Sequence, residues 1–152
     1  MIESNTDTVT LNSLIKTTID SINGYQESAQ AVESDQFRQL FLELAQDRQQ
    51  ALPQLQAEVA RLGGNPEDDG SVLAAAHRTF VDLKSAITGR DDKAVINEVE
   101  RGEDHIKEKF EAALNEAGLS AETRQVVSQA YESVRRGHDR VRDLKHAMEG
   151  VG

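Results

Sequence analysis

Few side chains in this sequence could do chemistry. An acidic run, Glu98, Glu100, Glu103 and Asp104, stands in one stretch, and His138-Asp139 follows some thirty-five residues later. Carboxylates and imidazoles serve as metal ligands or as acid–base groups. As a run, the acids read chiefly as a solvated helix face, with Glu103 the one expected to turn inward. The sequence has no cysteine, which removes thiol catalysis, disulfides and Cys-ligated metal. No glycine-rich phosphate loop follows a strand, and lone serines on helices make no nucleophile. His77 and His105 read as solvated or packing residues. The last stretch carries Arg135, Arg136, Arg140, Arg142 and Lys145 against Asp139 and Asp143. Cations late in a helix suit its dipole and pair along its surface. No aromatic residue interleaves them, so base stacking is unsupported and nucleic acid is not an expected partner.

The elements that must position these groups are legible from apolar spacing. Leu11, Ile15, Thr18, Ile22, Tyr25, Ala29 and Val32 follow one another in steps of three and four. Phe37, Leu40, Leu44, Arg48, Ala51, Leu55, Val59 and Leu62 do the same. So do Val95, Val99, Gly102, Ile106, Phe110, Ala113 and Ala117, and then Thr123, Val127, Ala130, Val134, Gly137, Val141, Leu144 and Met148. Such steps keep residues on one stripe of a helix, the pattern of antiparallel bundle packing. Helices are expected over about 9–32, 35–62, 92–117 and 121–149, after a flexible N-terminal segment 1–8.

The breaks agree with the stripes. Ser34 and Ser120 are expected N-caps, Gly118 a C-cap, and Gly63-Gly64-Asn65-Pro66 a terminator. Pro53, inside the second helix, predicts a bend near Gln49. Short turns join the first and second helices and the third and fourth, so each pair forms an antiparallel hairpin. Between the hairpins, 71–87 reads as a crossover helix with Val72, Leu73, Phe80 and Leu83 on one side. At 1.5 Å per residue it spans about 25 Å, nearly a bundle length. The fold class is therefore all-α: a single-domain antiparallel four-helix bundle over 9–149, two helical hairpins joined by a full-length crossover helix.

Composition bounds the rest. The 152 residues are 38% hydrophobic and 29% charged, with a net charge of −10. That suits one globular domain and repels nucleic acid and anionic membrane. No stretch approaches the roughly 20 apolar residues of a membrane span. Met1-Ile2-Glu3-Ser4-Asn5 lacks the basic and apolar regions of a signal peptide, so a cytoplasmic location is expected.

Arg48 is the anomaly. Pairing the helices about their turns puts Arg48, Gly102 and Gly137 near mid-bundle, with Thr18 or Ile19 opposite and Glu103 and His138 beside the glycines. A buried guanidinium keeps its charge and needs a carboxylate, which Glu103, Glu100 or Asp47 could supply. Three readings stand: Arg48 at the stripe's edge with its head in water, Arg48 buried and paired to Glu103, or a metal centre at this level.

Gly63-Gly64-Asn65-Pro66, Gly70-Ser71 leading to His77-Arg78, Glu98 to Asp104 and His138-Asp139 resemble the ferritin-like superfamily, most closely an uncharacterised bacterial four-helix-bundle family within it. The resemblance covers about residues 9–149. It implies a ferritin-like bundle and the di-metal carboxylate chemistry of the wider superfamily, iron storage or oxygen and peroxide reactions. A di-iron centre there takes one Glu from each of two helices and Glu-x-x-His from each of the other two. No Glu-x-x-His occurs in this sequence. Its nearest form, Asp143-Leu144-Lys145-His146, has both candidate ligands beside the stripe. What remains as a ligand set for iron or manganese is Glu100, Glu103 and His138, possible across a dimer. Stripe Arg48 and the missing motif favour a non-catalytic bundle with no cofactor. It would act as a homo-oligomer or on a protein partner, in stress physiology if it follows its relatives.

Overall fold

The computed structural model describes residues 2–67, 92–116 and 118–151, with side chains for 6–67, 92–116 and 118–147. Four helices form among them: α1 (Ile2–Ala31), α2 (Asp35–Arg61), α3 (Asp92–Leu114) and α4 (Ala121–Val151). The N-caps are those the sequence predicts, but α3 ends at Leu114, and Gly118, the expected C-cap, lies beyond that end without a positive φ. Ser34 Oγ accepts from Phe37 N and Ser120 Oγ from Thr123 N, each at 3.3 Å, satisfying one of the orphan donors of a helix start. Gly63 takes φ +86°, the left-handed conformation that ends α2. Arg124 closes α3 by gathering the carbonyls of Leu114, Glu116 and Leu119. α2 stays helical through Pro53. The expected crossover helix 71–87, with His77, lies outside the described residues.

One boundary needs correction. The segment 1–8, expected to be flexible, is helical from Ile2. Asp7 is buried, and its carboxylate accepts from Ser120 N at 3.3 Å. Thr10 Oγ1 donates to Glu116 at 2.8 Å. Polar residues anchored by a distant hairpin leave no apolar signal, so the stripe in the sequence starts only at Leu11.

The packing order follows from residues at the two ends. Glu33 N and Ser34 N donate to the Asp92 carboxylate at 2.9 and 3.1 Å, so α3 begins beside the α1–α2 turn. Asn12 bonds the Asn65 carbonyl at 3.1 Å, which puts the end of α2 beside the start of α1. α2 therefore ends at one end of the bundle and α3 begins at the other. α1 packs on α2 and α3, and α4 on α3 and α2. Each of these neighbours is antiparallel; α2 and α3 face each other across a diagonal. The two end ties are equivalent: the cap serine of each hairpin's second helix bonds an aspartate near the start of the other hairpin's first helix. This is a ferritin-like four-helix bundle.

The core is not continuous. One apolar cluster contains Leu11, Ile15, Leu55, Ile106, Phe110 and Val127. The other contains Tyr25, Phe41, Leu44, Val95, Ile96 and Val141. A polar layer separates them.

Candidate functional site: a buried ion pair at mid-bundle

The layer is built around Arg48, which is 1% exposed, and Glu103, 2% exposed. Arg48 Nη1 and Nη2 donate to Glu103 Oε1 and Oε2, both at 2.5 Å, the fork-on-fork geometry that makes an Arg–carboxylate pair strong and directional. Nη1 also donates to Ser21 Oγ at 2.5 Å, and Nη2 to the Val134 carbonyl at 3.3 Å. The guanidinium carbon lies 5.3 Å from the centroid of the Tyr25 ring, a cation–π position. One side chain of α2 thus reaches Ser21 and Tyr25 on α1, Glu103 on α3 and Val134 on α4. Its Nε is buried without a hydrogen-bond partner among the described residues. Burial and the neighbouring Glu103 carboxylate hold the Tyr25 phenol well above its ordinary range.

Glycine supplies the space. A Cβ on Gly137 would lie 2.6 Å from Arg48 Nη2 and 3.3 Å from Glu103 Oε2. The α4 backbone can approach the pair only because that atom is missing. Gly102 behaves differently: it is exposed, and a Cβ there would meet nothing within 4 Å. The expected stripe of α3 therefore shifts by one position at this level, from Gly102 to Glu103. Thr18, expected opposite Arg48, instead bonds back to the Leu14 carbonyl at 2.7 Å. Ser21 and Tyr25 take that place.

The three candidate metal ligands are not brought together. Glu103 is committed to Arg48. Glu100 accepts from Lys145 Nζ at 2.7 Å, at an open surface depression it shares with Lys93, Asn97, Arg101 and Asp104. His138 Nε2 bonds Asp104 Oδ1 at 2.8 Å, and Nδ1 lies 3.5 Å from Asp139 Oδ1. Among the described residues no three His, Asp or Glu side chains are grouped to hold a metal ion. A metal pair needs several carboxylates turned on one point, whereas the level that would hold it is closed by a cation with its own carboxylate. The donor set does not fit such a centre. Asp143 and His146 are both exposed.

The basic run of α4 is neutralised in place. Arg136 faces Asp47 at 3.3 Å and Arg140 faces Glu43 at 3.2 Å, both across to α2. Arg135 pairs with Glu132, and Arg142 lies 3.7 Å from Asp139 and from Asp143. A second polar cluster, not foreseen from the sequence, sits where α2 ends and α4 begins. Buried Glu58 accepts from Arg61 Nε and Nη2 at 2.7 and 2.6 Å and from Thr123 Oγ1 at 2.8 Å. The Arg61 bonds, with that of Thr123, hold the Glu58 carboxyl below its ordinary range despite burial. Thr123 carries the only sequence signal, a polar residue on the apolar stripe of the last helix.

No curated protein matches the chain by sequence. Among solved structures, it is similar to a two-domain protein containing DJ-1/ThiJ/PfpI-like and ferritin-like domains from Anabaena variabilis ATCC 29413, with a TM-score of 0.75 at 16% identity. The match covers 95% of this chain and 40% of that one, so the chain spans less than half of its structural relative. At that identity the likeness speaks for fold. Residues 7–116 match the family described as "Domain of unknown function (DUF2383)", well over half of the sequence, and the chain belongs to that family.

Proposed function

We propose that this chain is a non-enzymatic ferritin-like bundle that works by association with a protein partner or with itself. The observation that carries the reading is the Arg48–Glu103 pair. It fills the mid-bundle level with a guanidinium held by all four helices and, among the described residues, leaves no free carboxylate there for chemistry. Buried ion pairs are weak contributors to stability but can fix one arrangement of helices over others. A bundle so arranged presents outer faces of constant geometry. The structural relative supports the same reading, since there a ferritin-like domain accompanies a different domain in one chain. The surface charges of α4 are satisfied by carboxylates of the same chain, and the net charge is −10, which favours protein partners over nucleic acid.

The test adds Fe(II) to the purified protein and follows oxygen consumption, with the mass in solution measured alongside. The reading predicts no oxidation beyond that of free iron. Accelerated oxidation that disappears in Glu103→Gln would replace it with metal chemistry.

A further inference from the structure

Asn23-Gly24 is the sequence's one Asn-Gly pair, the dipeptide that rearranges most readily. With no side chain on glycine to obstruct it, the Gly24 amide nitrogen can reach the Asn23 side-chain carbonyl carbon. The pair lies in α1 between Ser21 and Tyr25, the two residues by which that helix holds Arg48. Packing does not call for glycine there. A Cβ at Gly24 would meet nothing within 4 Å, and its φ is not positive. Gly102 is placed alike: it precedes Glu103 on α3, and a Cβ there also meets nothing. Glycine inside a helix weakens it, so α1 and α3 are both weakened next to a residue of the polar layer. The two apolar clusters part at this level, and local opening concentrates where buried apolar contact is least.

We propose that Asn23 is a latent deamidation site, shielded by the folded layer and opened to reaction when α1 unwinds there. The helix blocks the step twice. It holds the Gly24 N–H on the carbonyl four residues back, and its backbone angles keep that nitrogen away from the Asn23 side chain. In the open segment the nitrogen gives its proton to hydroxide and attacks Asn23 Cγ. A C–N bond closes the five-membered imide, and ammonia leaves. Water then adds at either imide carbonyl and breaks one C–N bond. The product is aspartate or, with the chain rerouted through Cγ, isoaspartate. Either adds a negative charge three residues from Asp20 and four from Glu27, a like-charge spacing that disfavours helix. Conversion therefore holds open the stretch whose opening allowed it, and the α1 contacts of Arg48 are loosened.

Peptide mass spectrometry after incubation in mildly alkaline buffer reads the conversion at Asn23. The folded protein is expected to convert at least about tenfold more slowly than the same chain in urea, because only the open fraction reacts. Ser21→Ala removes one α1 bond to Arg48 and leaves the apolar clusters intact. It is expected to raise the folded-state rate about threefold or more at unchanged helix content. Gly24→Ala is expected to slow the reaction sharply even in urea, and to raise the urea midpoint, since its Cβ meets open space. A folded-state rate equal to that in urea would show that α1 gives no shield, and overturns the proposal. So does a folded-state rate unmoved by Ser21→Ala, which would place the opening away from the layer.

Discussion

Gly137 and Arg48 are fitted to each other: the atom that any other residue would add at 137 lies 2.6 Å from the place where Arg48 Nη2 sits. An arginine head is usually the movable partner in such a clash. Here it is fixed by a bidentate carboxylate, a serine and a backbone carbonyl on three other helices. The glycine of one helix and the arginine of another therefore constitute one feature, and the bundle's mid-level spacing depends on both.

That relationship separates two glycines that look alike in the sequence. Gly137→Ala gains about 1 kcal/mol of helix propensity but overpacks a fixed group, which costs about 1–3 kcal/mol, so a net loss is expected in urea unfolding. Gly102→Ala meets nothing within 4 Å and is expected to gain up to about 1 kcal/mol. Equal responses of the two variants would contradict the close approach of α4 to the pair.

The ion pair predicts strong non-additivity. Glu103→Leu alone strands a buried guanidinium and is expected to cost about 3–5 kcal/mol. Arg48→Met alone strands the carboxylate, with a comparable loss. The double variant Arg48→Met/Glu103→Leu joins the two apolar clusters and is expected to be close to wild type or more stable. A double-mutant cycle in denaturant reads this directly. Losses that simply add would show that the two side chains act independently.

Acid stability should trace to Glu58. Its carboxyl is held below the ordinary range by Arg61 and Thr123. The native state therefore favours the ionised form, and the stability gained is present above the unfolded pKa of about 4.3. It is lost as pH falls through the lower folded value. Glu58→Gln should flatten the acid side of a plot of Tm against pH and leave the side above about pH 7 parallel to wild type. An unchanged acid limb would contradict the cluster at the α2–α4 end.

Both tyrosines of the chain are held up, Tyr25 by burial and Glu103, Tyr131 by burial and its bond to Glu111, to about 12. Each phenol stays protonated in the native state where the unfolded one would ionise. Stability from them is complete below about pH 10 and declines as pH rises through the folded values. Absorbance of tyrosinate should therefore be nearly absent from the native protein at pH 10 and appear on adding denaturant. Tyrosinate in the native protein at that pH would mean an open core.

The hairpins were legible because their stripes keep one period for six or more turns and their turns carry Ser34, Gly63, Gly118 and Ser120. The site was half legible. Arg48 was visible as a charge on an apolar stripe, and Glu103 as the nearest acid across from it. The stripe itself was drawn through Gly102, since a count of apolar positions steps over a buried carboxylate and settles on the neighbour without a side chain. Ser21 and Tyr25 carry no mark of their role, because reaching Arg48 depends on helix rotation. Asp7 and Asp92 were invisible for a related reason. Each bonds the backbone of the opposite hairpin, a pairing that exists only after the hairpins dock.

What occupies the mid-bundle level is tested most directly by the metal content of protein purified without chelator. With Arg48 and Glu103 closing that level, iron, manganese and zinc are expected far below one equivalent per chain, unchanged in Glu103→Gln or His138→Ala. Near-stoichiometric metal that falls on either substitution would contradict the account and return the bundle to carboxylate metal chemistry.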